Sequence, residues 1–301
     1  MKLNLISNWA KKIKPWGFQK LSVYDVAIFF WKGLINGAIT TRASSLAFNF
    51  FLAFFPAIIF LFTLLPYIPI DGLQENLIEI LSSVLPHSTN EIATKTIDDI
   101  INNPRGGLLS IGFILALYFS TNGVNSLIEA FNSSYHVQES RSILYQRLLA
   151  LILTLILSAM VLITITLIIF GKSYLNYLII NEVISASNMH LFTILKWTLL
   201  SICLLIGIST VFHLGPNLER KLIFISPGTI FATLFIIITS ILFSIYISYF
   251  SQYNQIYGSI GTLIIILLWI YFNSIILLTG FELNVSIINA SKKQEKINSD
   301  L

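Results

Sequence analysis

Charged residues are scarce in this sequence, and one long stretch has none. The chain of 301 residues is 11% charged and 55% hydrophobic, whereas a soluble domain carries about 25% charged residues. Residues 222–281 are 60 consecutive positions without Asp, Glu, Lys or Arg. A helix of about 20 apolar residues crosses the roughly 30 Å hydrocarbon core of a bilayer. The composition therefore excludes a soluble protein, and the long stretch predicts two membrane crossings.

Cysteine and an apolar leader are also lacking. Cys203 is the only cysteine, which excludes a disulfide framework and a cysteine-based metal site. Residues 1–20 hold five lysines but no apolar run typical of a signal peptide, so we expect the first hydrophobic helix to direct insertion. No G-x-x-x-x-G-K phosphate loop is present, which excludes ATP-driven transport by this chain alone. The histidines show no metal-ligand spacing, and neither a metal nor a cofactor is predicted.

The charge-free segments predict six membrane-spanning helices, which are residues 43–66, 106–128, 148–171, 197–218, 223–250 and 259–281. The last two come from the long stretch, which divides at the polar cluster of residues 251–258. Helices are required because lipid cannot satisfy the unpaired backbone groups of a strand edge. The predicted fold class is therefore an all-α polytopic membrane protein.

Lysine and arginine predict the orientation of these helices. Fourteen of the 18 basic residues fall in the N-terminal segment, the second and fourth connections, and the C-terminal tail. Loops rich in Lys and Arg stay in the cytoplasm. We therefore expect both termini on the cytoplasmic side of a bacterial inner membrane, as six crossings require.

Two segments outside the spans have helical patterns of their own. Residues 22–40 begin with the start signals Ser22 and Asp25 but are too polar to span, which predicts an N-terminal interfacial helix that meets anionic headgroups. Residues 67–105 carry six acidic residues and two apolar faces, which predict an extracytoplasmic amphipathic helical hairpin. The predicted organisation is a basic cytoplasmic segment at 1–42, a six-helix transmembrane domain at 43–285 that includes the hairpin, and a cytoplasmic tail at 286–301.

Polar residues inside the spans are the candidates for a substrate pathway, because the bilayer penalises them. In the second span, four of them follow one another at intervals of three and four residues, namely Asn122, Asn125, Glu129 and Asn132. This spacing places them on one helix face together with His136. This stripe either lines a polar cavity or hydrogen-bonds neighbouring helices. Arg42 either marks the cytoplasmic boundary or pairs with Glu129 or Glu282. The candidates are Arg42, Asn49, Asn122, Asn125, Glu129, Asn132, Asn273 and Glu282.

A second group of residues is expected to shape the helices and their contacts. Proline permits a kink or opens a first helical turn, glycine permits close helix contact, and a tryptophan in mid-membrane indicates a helix that faces protein. These residues are Pro56, Pro227, Gly228, Gly258, Gly261, Trp269 and Gly280.

Several motifs resemble those of the YihY / BrkB family of bacterial inner-membrane proteins, over roughly residues 25–290. The final-helix matches are Tyr257-Gly258-Ser259-Ile260-Gly261, Leu267-Leu268-Trp269-Ile270-Tyr271 and Gly280-Phe281-Glu282-Leu283-Asn284. The other matches are Arg42-Ala43, Leu46-Ala47-Phe48, Pro56, Asn132, Tyr135, Arg141, Arg147 and Pro227-Gly228. Phe281 stands where the family commonly has alanine.

The resemblance implies a six-helix integral protein of the cytoplasmic membrane, linked to virulence and envelope integrity. Members have been labelled ribonuclease BN, a label generally held to be mistaken. The resemblance also implies a transport role, proposed for lipids or envelope precursors, and it implies no particular chemistry.

Three functions are left open by the residues. The first is a transporter or translocase of a lipid, an envelope precursor or a small solute, supported by the polar stripe of the second span. The second is a non-transporting structural or assembly factor of the envelope that uses the acidic hairpin. The third is a nuclease, which needs clustered carboxylates near a basic groove, whereas the only close acidic pair, Asp98–Asp99, falls on the predicted outer side. We expect no enzyme activity.

Membrane lipids are the expected partners. An envelope protein and a second copy of the chain are the alternatives for a protein partner, and no nucleic-acid partner is expected.

Overall fold

A computed structural model describes residues 11–15, 17–18, 21–64, 106–134, 140–180, 189–218, 222–249 and 254–299. Seven main helices and no strand occur within these residues. They are α1 (Val23–Asn36), α2 (Ile39–Leu64), α3 (Gly106–Asn132), α4 (Ile143–Ile180), α5 (Met189–Leu214), α6 (Pro227–Tyr249) and α7 (Asn254–Ser299). The predicted all-α fold class is confirmed.

The helices have the length and composition of membrane spans. Helices α3 to α7 each contain a segment long and apolar enough to cross a membrane. A sixth span results if α1 and the beginning of α2 are counted together, since they pass the same test as a pair bent by 62°. The prediction of a polytopic membrane protein is therefore confirmed. The predicted acidic hairpin at 67–105 lies outside the described residues.

The bend between α1 and α2 separates the predicted interfacial helix from the first predicted span. Ser22 caps α1, because its Oγ accepts a hydrogen bond from the backbone N–H of Asp25 at 3.1 Å. At the other end, the N–H of Gly37 bonds to the carbonyl of Gly33 at 2.8 Å. Ala38 follows with a φ of 45°, in the left-handed region that ends a right-handed helix. The chain then continues as α2, which runs through Pro56 without interruption.

Residues 49–123 form one compact unit of the chain, and the remaining residues form another. In the smaller unit, α2 and α3 pack together through glycines. A methyl group at Gly112 would lie 3.4 Å from the Cα of Phe60, and one at Gly123 would lie 3.2 Å from the ring of Phe50. The absence of a side chain at these two positions therefore lets the helices approach closely.

The larger unit is organised around α7. This helix has 46 residues and is about 69 Å long at 1.5 Å per residue, more than twice the thickness of the hydrocarbon core. Helices α1 and α6 both pack against it, α5 packs against α6, and α4 packs against α5. Helix α7 continues to Ser299 and so includes most of the predicted tail at 286–301.

Helix α1 lies along the C-terminal half of α7 in the antiparallel direction. Val26, near the start of α1, shares a buried apolar cluster with Ile287 and Ala290. Gly33, near the end of α1, contacts the side chain of Glu282. The start of α1 therefore contacts a later part of α7 than the end of α1 does. As a result, the bend that follows Gly33 lies close to Glu282.

Candidate functional site

A carboxylate buried on α7 lies at the centre of the candidate site. Glu282 has no exposed surface, and its Oε2 accepts a hydrogen bond from the Ser134 Oγ at 2.8 Å. The Arg42 Nη2 lies 3.7 Å from the same oxygen, and its Nη1 donates to the Ala130 carbonyl at 2.7 Å. We call these residues, namely Arg42, Ala130, Ser134 and Glu282, the Glu282 cluster. It joins the first turn of α2, the end of α3 and α7.

Arg42 is buried without a full set of hydrogen bonds. Its side chain is only 9% exposed, and its Nε and Nη2 have no hydrogen-bond partner in the described part of the chain. The 3.7 Å separation from Glu282 is too long for a hydrogen bond. The pair is therefore an electrostatic contact between two buried groups. The Nε and Nη2 donors of the guanidinium make no hydrogen bond within the described residues.

Two glycines of the bend make room for this pair. A methyl group at Gly33 would run into the Glu282 carboxylate, coming within 2.6 Å of its Cδ. A methyl group at Gly37 would lie 2.8 Å from the Arg42 Nη2. Both glycines are needed because any side chain there would displace a charged group of the cluster.

Three buried phenylalanines pack against one another, and two of them are sequence neighbours of cluster residues. Phe131, Phe212 and Phe281 are each at most 1% exposed. The ring of Phe131 lies 4.4 Å from that of Phe281 and 5.5 Å from that of Phe212, measured between centroids. Phe131 and Phe281 are the chain neighbours of Ala130 and Glu282. The Phe281 side chain, in place of the alanine common in the family it resembles, completes this aromatic contact.

Asn132 belongs to a separate set of hydrogen bonds, which fixes the loop after α5. Its Oδ1 accepts from the N–H of Asn217 at 2.8 Å, and the Asn217 Nδ2 donates to the Ser140 Oγ at 2.8 Å. The Arg141 Nη2 donates to the carbonyl of Gly215 at 2.9 Å. Asn132 therefore connects the end of α3 to this loop.

The predicted polar stripe of α3 contains a second side-chain pair. The Asn125 Nδ2 donates to the Glu129 Oε1 at 2.6 Å, and Glu129 is exposed. The Asn125 Oδ1 is buried and has no partner among the described residues. Asn122 is half-buried and lies in the smaller unit, and His136 lies outside the described residues. Of the two partners considered for Arg42, the structure brings Glu282 to it.

Two further predicted polar residues lie in α2 and α7. Asn49 is half-buried in α2. The Asn273 Nδ2 donates to the carbonyl of Trp269, one turn earlier, at 2.7 Å. The Asn273 Oδ1 is buried without a hydrogen-bond partner in the described ranges. Asn273 therefore keeps an unused acceptor inside a membrane-spanning helix.

Helices α6 and α7 meet at the glycines that the sequence singled out. A methyl group at Gly228 would run into the carbonyl of Gly280, and one at Gly280 would lie 2.9 Å from the Ala232 Cβ. The N–H of Gly228 donates to the Asn284 Oδ1 at 2.8 Å, which satisfies a free donor in the first turn after Pro227. Gly261 is buried in α7, and Gly258 lies in the same helix.

Sequence reasoning missed three residues that build the site. Gly33 and Ser134 contact Glu282, and Asn284 caps α6. Asn284 stands in the same short motif as Glu282, so its type and position were visible in the sequence. Gly33 and Ser134 gave no signal, because their role comes from the packing of α1 and the end of α3 against α7. The described residues contain no group of three or more His, Cys, Asp or Glu able to hold a metal ion.

Apolar helices of spanning length, joined by a buried ion pair, define this chain as a multi-pass α-helical membrane protein. Comparison with known proteins agrees with that class. The chain belongs to the Virulence factor BrkB family, whose profile matches residues 30–300, and the resemblance seen in the motifs is confirmed.

Individual relatives extend over most of the chain. It is 32% identical over 255 residues to the putative ribonuclease-like protein YfkH of Bacillus subtilis (strain 168), covering 84% of this chain and 91% of that protein. It is 26% identical over 238 residues to a UPF0761 membrane protein of Idiomarina loihiensis, covering 76% and 78%. A UPF0761 membrane protein of Haemophilus influenzae (strain 86-028NP) is 23% identical over 269 residues, covering 87% and 95%. No solved structure matches this chain.

Proposed function

We propose that the protein is a transporter or translocase of a lipid, an envelope precursor or a small solute in a bacterial inner membrane. The observation that carries the proposal is the Arg42–Glu282 pair, which is buried at the ends of two predicted spans. Charged side chains are expensive in such helices and typically mark a substrate or ion pathway. Membership in a family of membrane proteins agrees with this setting.

The incomplete bonding of Arg42 favours a working role over a purely structural one. Leaving a buried donor unsatisfied costs about 1–3 kcal/mol, and more for a charged group. Nε and Nη2 of Arg42 have no hydrogen-bond partner among the described residues, although Nη2 lies 3.7 Å from the Glu282 carboxylate. In an ion pair that served only stability, we would expect both donors to be hydrogen-bonded. A guanidinium with unbonded donors can instead bind an anionic group of a substrate or exchange partners during a transport cycle.

The test replaces the ion pair by apolar residues of similar size. Arg42→Met or Glu282→Leu alone leaves one charge buried without its partner, and we expect a loss of about 3–5 kcal/mol in the free energy of unfolding. The double variant removes both charges, so we expect it to recover most of the thermal stability in detergent. We also expect it to lose activity, measured by complementation of a deletion phenotype. Full complementation by the stable double variant would show that the pair is structural.

The Asn125–Glu129 pair belongs to the same proposal. If the polar stripe of α3 contributes to the pathway, Asn125→Leu and Glu129→Ala abolish activity while membrane levels of the protein stay normal. Complementation by both variants at the parent level would assign the stripe to helix packing.

We further propose that the chain is not a nuclease, although one relative is named ribonuclease-like. The support is the sequence, in which the close acidic pair Asp98–Asp99 falls on the predicted outer side, away from cellular RNA. The purified protein is expected to leave RNA intact with and without Mg²⁺. Cleavage that disappears in Asp98→Asn would refute this.

A further inference from the structure

Helices α6 and α7 line a groove at a distance from their glycine contact. They are in contact at Gly228 and Gly280. Twelve to sixteen residues further along α6, a groove of about 320 Å³ opens between the helices and is open on one side. Its lining residues are Ser240, Phe243, Ser244, Ile265, Ile266 and Trp269.

The shape of the groove follows from its side chains. Ser240 and Ser244 are small residues one turn apart on α6, whereas Phe243 and Trp269 contribute large aromatic side chains to the lining. Most of the lining is carbon, so water would find few hydrogen-bond partners there. The groove is therefore suited to an apolar occupant.

The position of the groove decides which apolar molecule reaches it. Both walls belong to segments with spanning character, Pro227–Tyr246 and Leu263–Ser299. Trp269 is 13 residues before Glu282, about 20 Å along α7 at 1.5 Å per residue. Neighbouring residues on α6 are exposed and apolar, with Ile241 at 54% and Leu242 at 61%. At this depth, the surroundings of an open groove are lipid acyl chains.

We infer that the α6–α7 groove is a binding site for one acyl chain of a membrane lipid. The chain lies between the two helices, with the rings of Phe243 and Trp269 against its methylene groups and the serines providing the space. The site is separate from the Glu282 cluster, and this inference holds whether or not the protein transports a solute.

The first measurement uses the fluorescence of Trp269, which is 40% exposed. The full chain is reconstituted in nanodiscs that contain phosphatidylcholine brominated on its acyl chains, since bromine quenches tryptophan. The contribution of Trp269 is obtained by comparison with Trp269→Phe. The reference is Trp197, which is 59% exposed on α5. Its fluorescence contribution is obtained in the same way, by comparison with Trp197→Phe. As the fraction of brominated lipid rises, we expect Trp269 to be quenched at a lower fraction than Trp197. Quenching of both at the same fraction would overturn the inference.

The second measurement fills the groove. We expect the double variant Ser240→Leu/Ser244→Leu to bind one lipid fewer per chain than the parent protein. Bound lipids are counted by native mass spectrometry after detergent exchange. Ser201→Leu is the matched control, because Ser201 is half-buried on α5 and outside the groove. An unchanged lipid count in the groove-filled variant would contradict acyl-chain binding.

A second copy of the chain is the competing occupant. Ser244→Cys in a Cys203→Ser background, treated with a short thiol cross-linker in nanodiscs, is expected to stay monomeric on denaturing gels. Efficient dimer formation would mean that protein, not lipid, covers the groove. Loss of complementation in the ion-pair variants has no bearing on these readouts, so failure of the transport proposal and failure of this inference are distinguishable.

Discussion

At the residue scale, burial distinguishes the two carboxylates considered as partners of Arg42. Both Arg42 and Glu282 are charges at the predicted cytoplasmic ends of spans, so their pairing could be stated as an alternative in advance. The choice between Glu282 and Glu129 could not, because both carboxylates were placed at the same membrane level. The structure separates them by burial: Glu282 has no exposed surface, whereas Glu129 is exposed.

Gly33 offers the sharpest residue-scale prediction. Gly33→Ala places a methyl group against the Glu282 carboxylate, and overpacking of this kind costs about 1–3 kcal/mol. We expect a lower midpoint of thermal unfolding in detergent. We also expect faster proteolysis near residues 33–42, because the bend loses its contact with α7.

Gly107→Ala is the matched control for this variant. Gly107 is an exposed helical glycine, and a methyl group there would meet no other atom within 4 Å. We expect no destabilisation, since alanine is the better helix former. Equal losses in the two variants would mean that the contact with Glu282 is not responsible for the destabilisation.

At the element scale, the crossing of α6 and α7 depends on backbone contact. Gly280→Val is expected to push the helices apart, because even a methyl group there would lie 2.7 Å from the carbonyl of Gly228. The hydrogen bond from Gly228 to Asn284 would lengthen with the separation. The expected result is a large fall in folded protein after extraction, measured by size-exclusion chromatography.

Gly207→Val tests whether any valine in a membrane helix has this effect. A methyl group at Gly207 would lie 3.9 Å from its nearest neighbours, the side chains of Leu157 and Met160, which is an ordinary contact. We expect this variant to remain largely folded. Similar losses at positions 207 and 280 would argue against a special role for the α6–α7 crossing.

The spans and the start of α1 were more predictable than the contacts between the helices. Absence of charge sets the spans, and Ser22 with Asp25 marks the start of α1, because lipid and helix caps act locally on the sequence. The length of α7 was not foreseen: residues 286–301 were predicted to form a tail, but Ile287, Ile288 and Ala290 are buried because α1 packs against this part of the helix. Tertiary contact therefore extends a helix that composition alone would end.

At the scale of the whole molecule, the C-terminal half of α7 carries several buried polar residues. Glu282, Asn284 and Ser286 are all at most 1% exposed there, whereas the α6–α7 groove lies along an earlier part of the same helix. The polar cluster and the apolar groove are thus separated along one helix. A lipid or another amphipathic molecule contains both kinds of chemistry, which connects the two sites physically without requiring that one ligand fills both.

The orientation of the chain is the last prediction, because it places the Glu282 cluster on one side of the membrane. Fourteen of the 18 Lys and Arg residues lie in segments predicted to be cytoplasmic. Alkaline phosphatase fused after Leu301 is therefore expected to be inactive, whereas a green fluorescent protein at the same position is expected to fluoresce. The opposite pattern is expected for both reporters inserted at Ser88. An active phosphatase at the C-terminus would place Arg42 and Glu282 at the outer face, and a pathway entered from the cytoplasm through that pair would have to be abandoned.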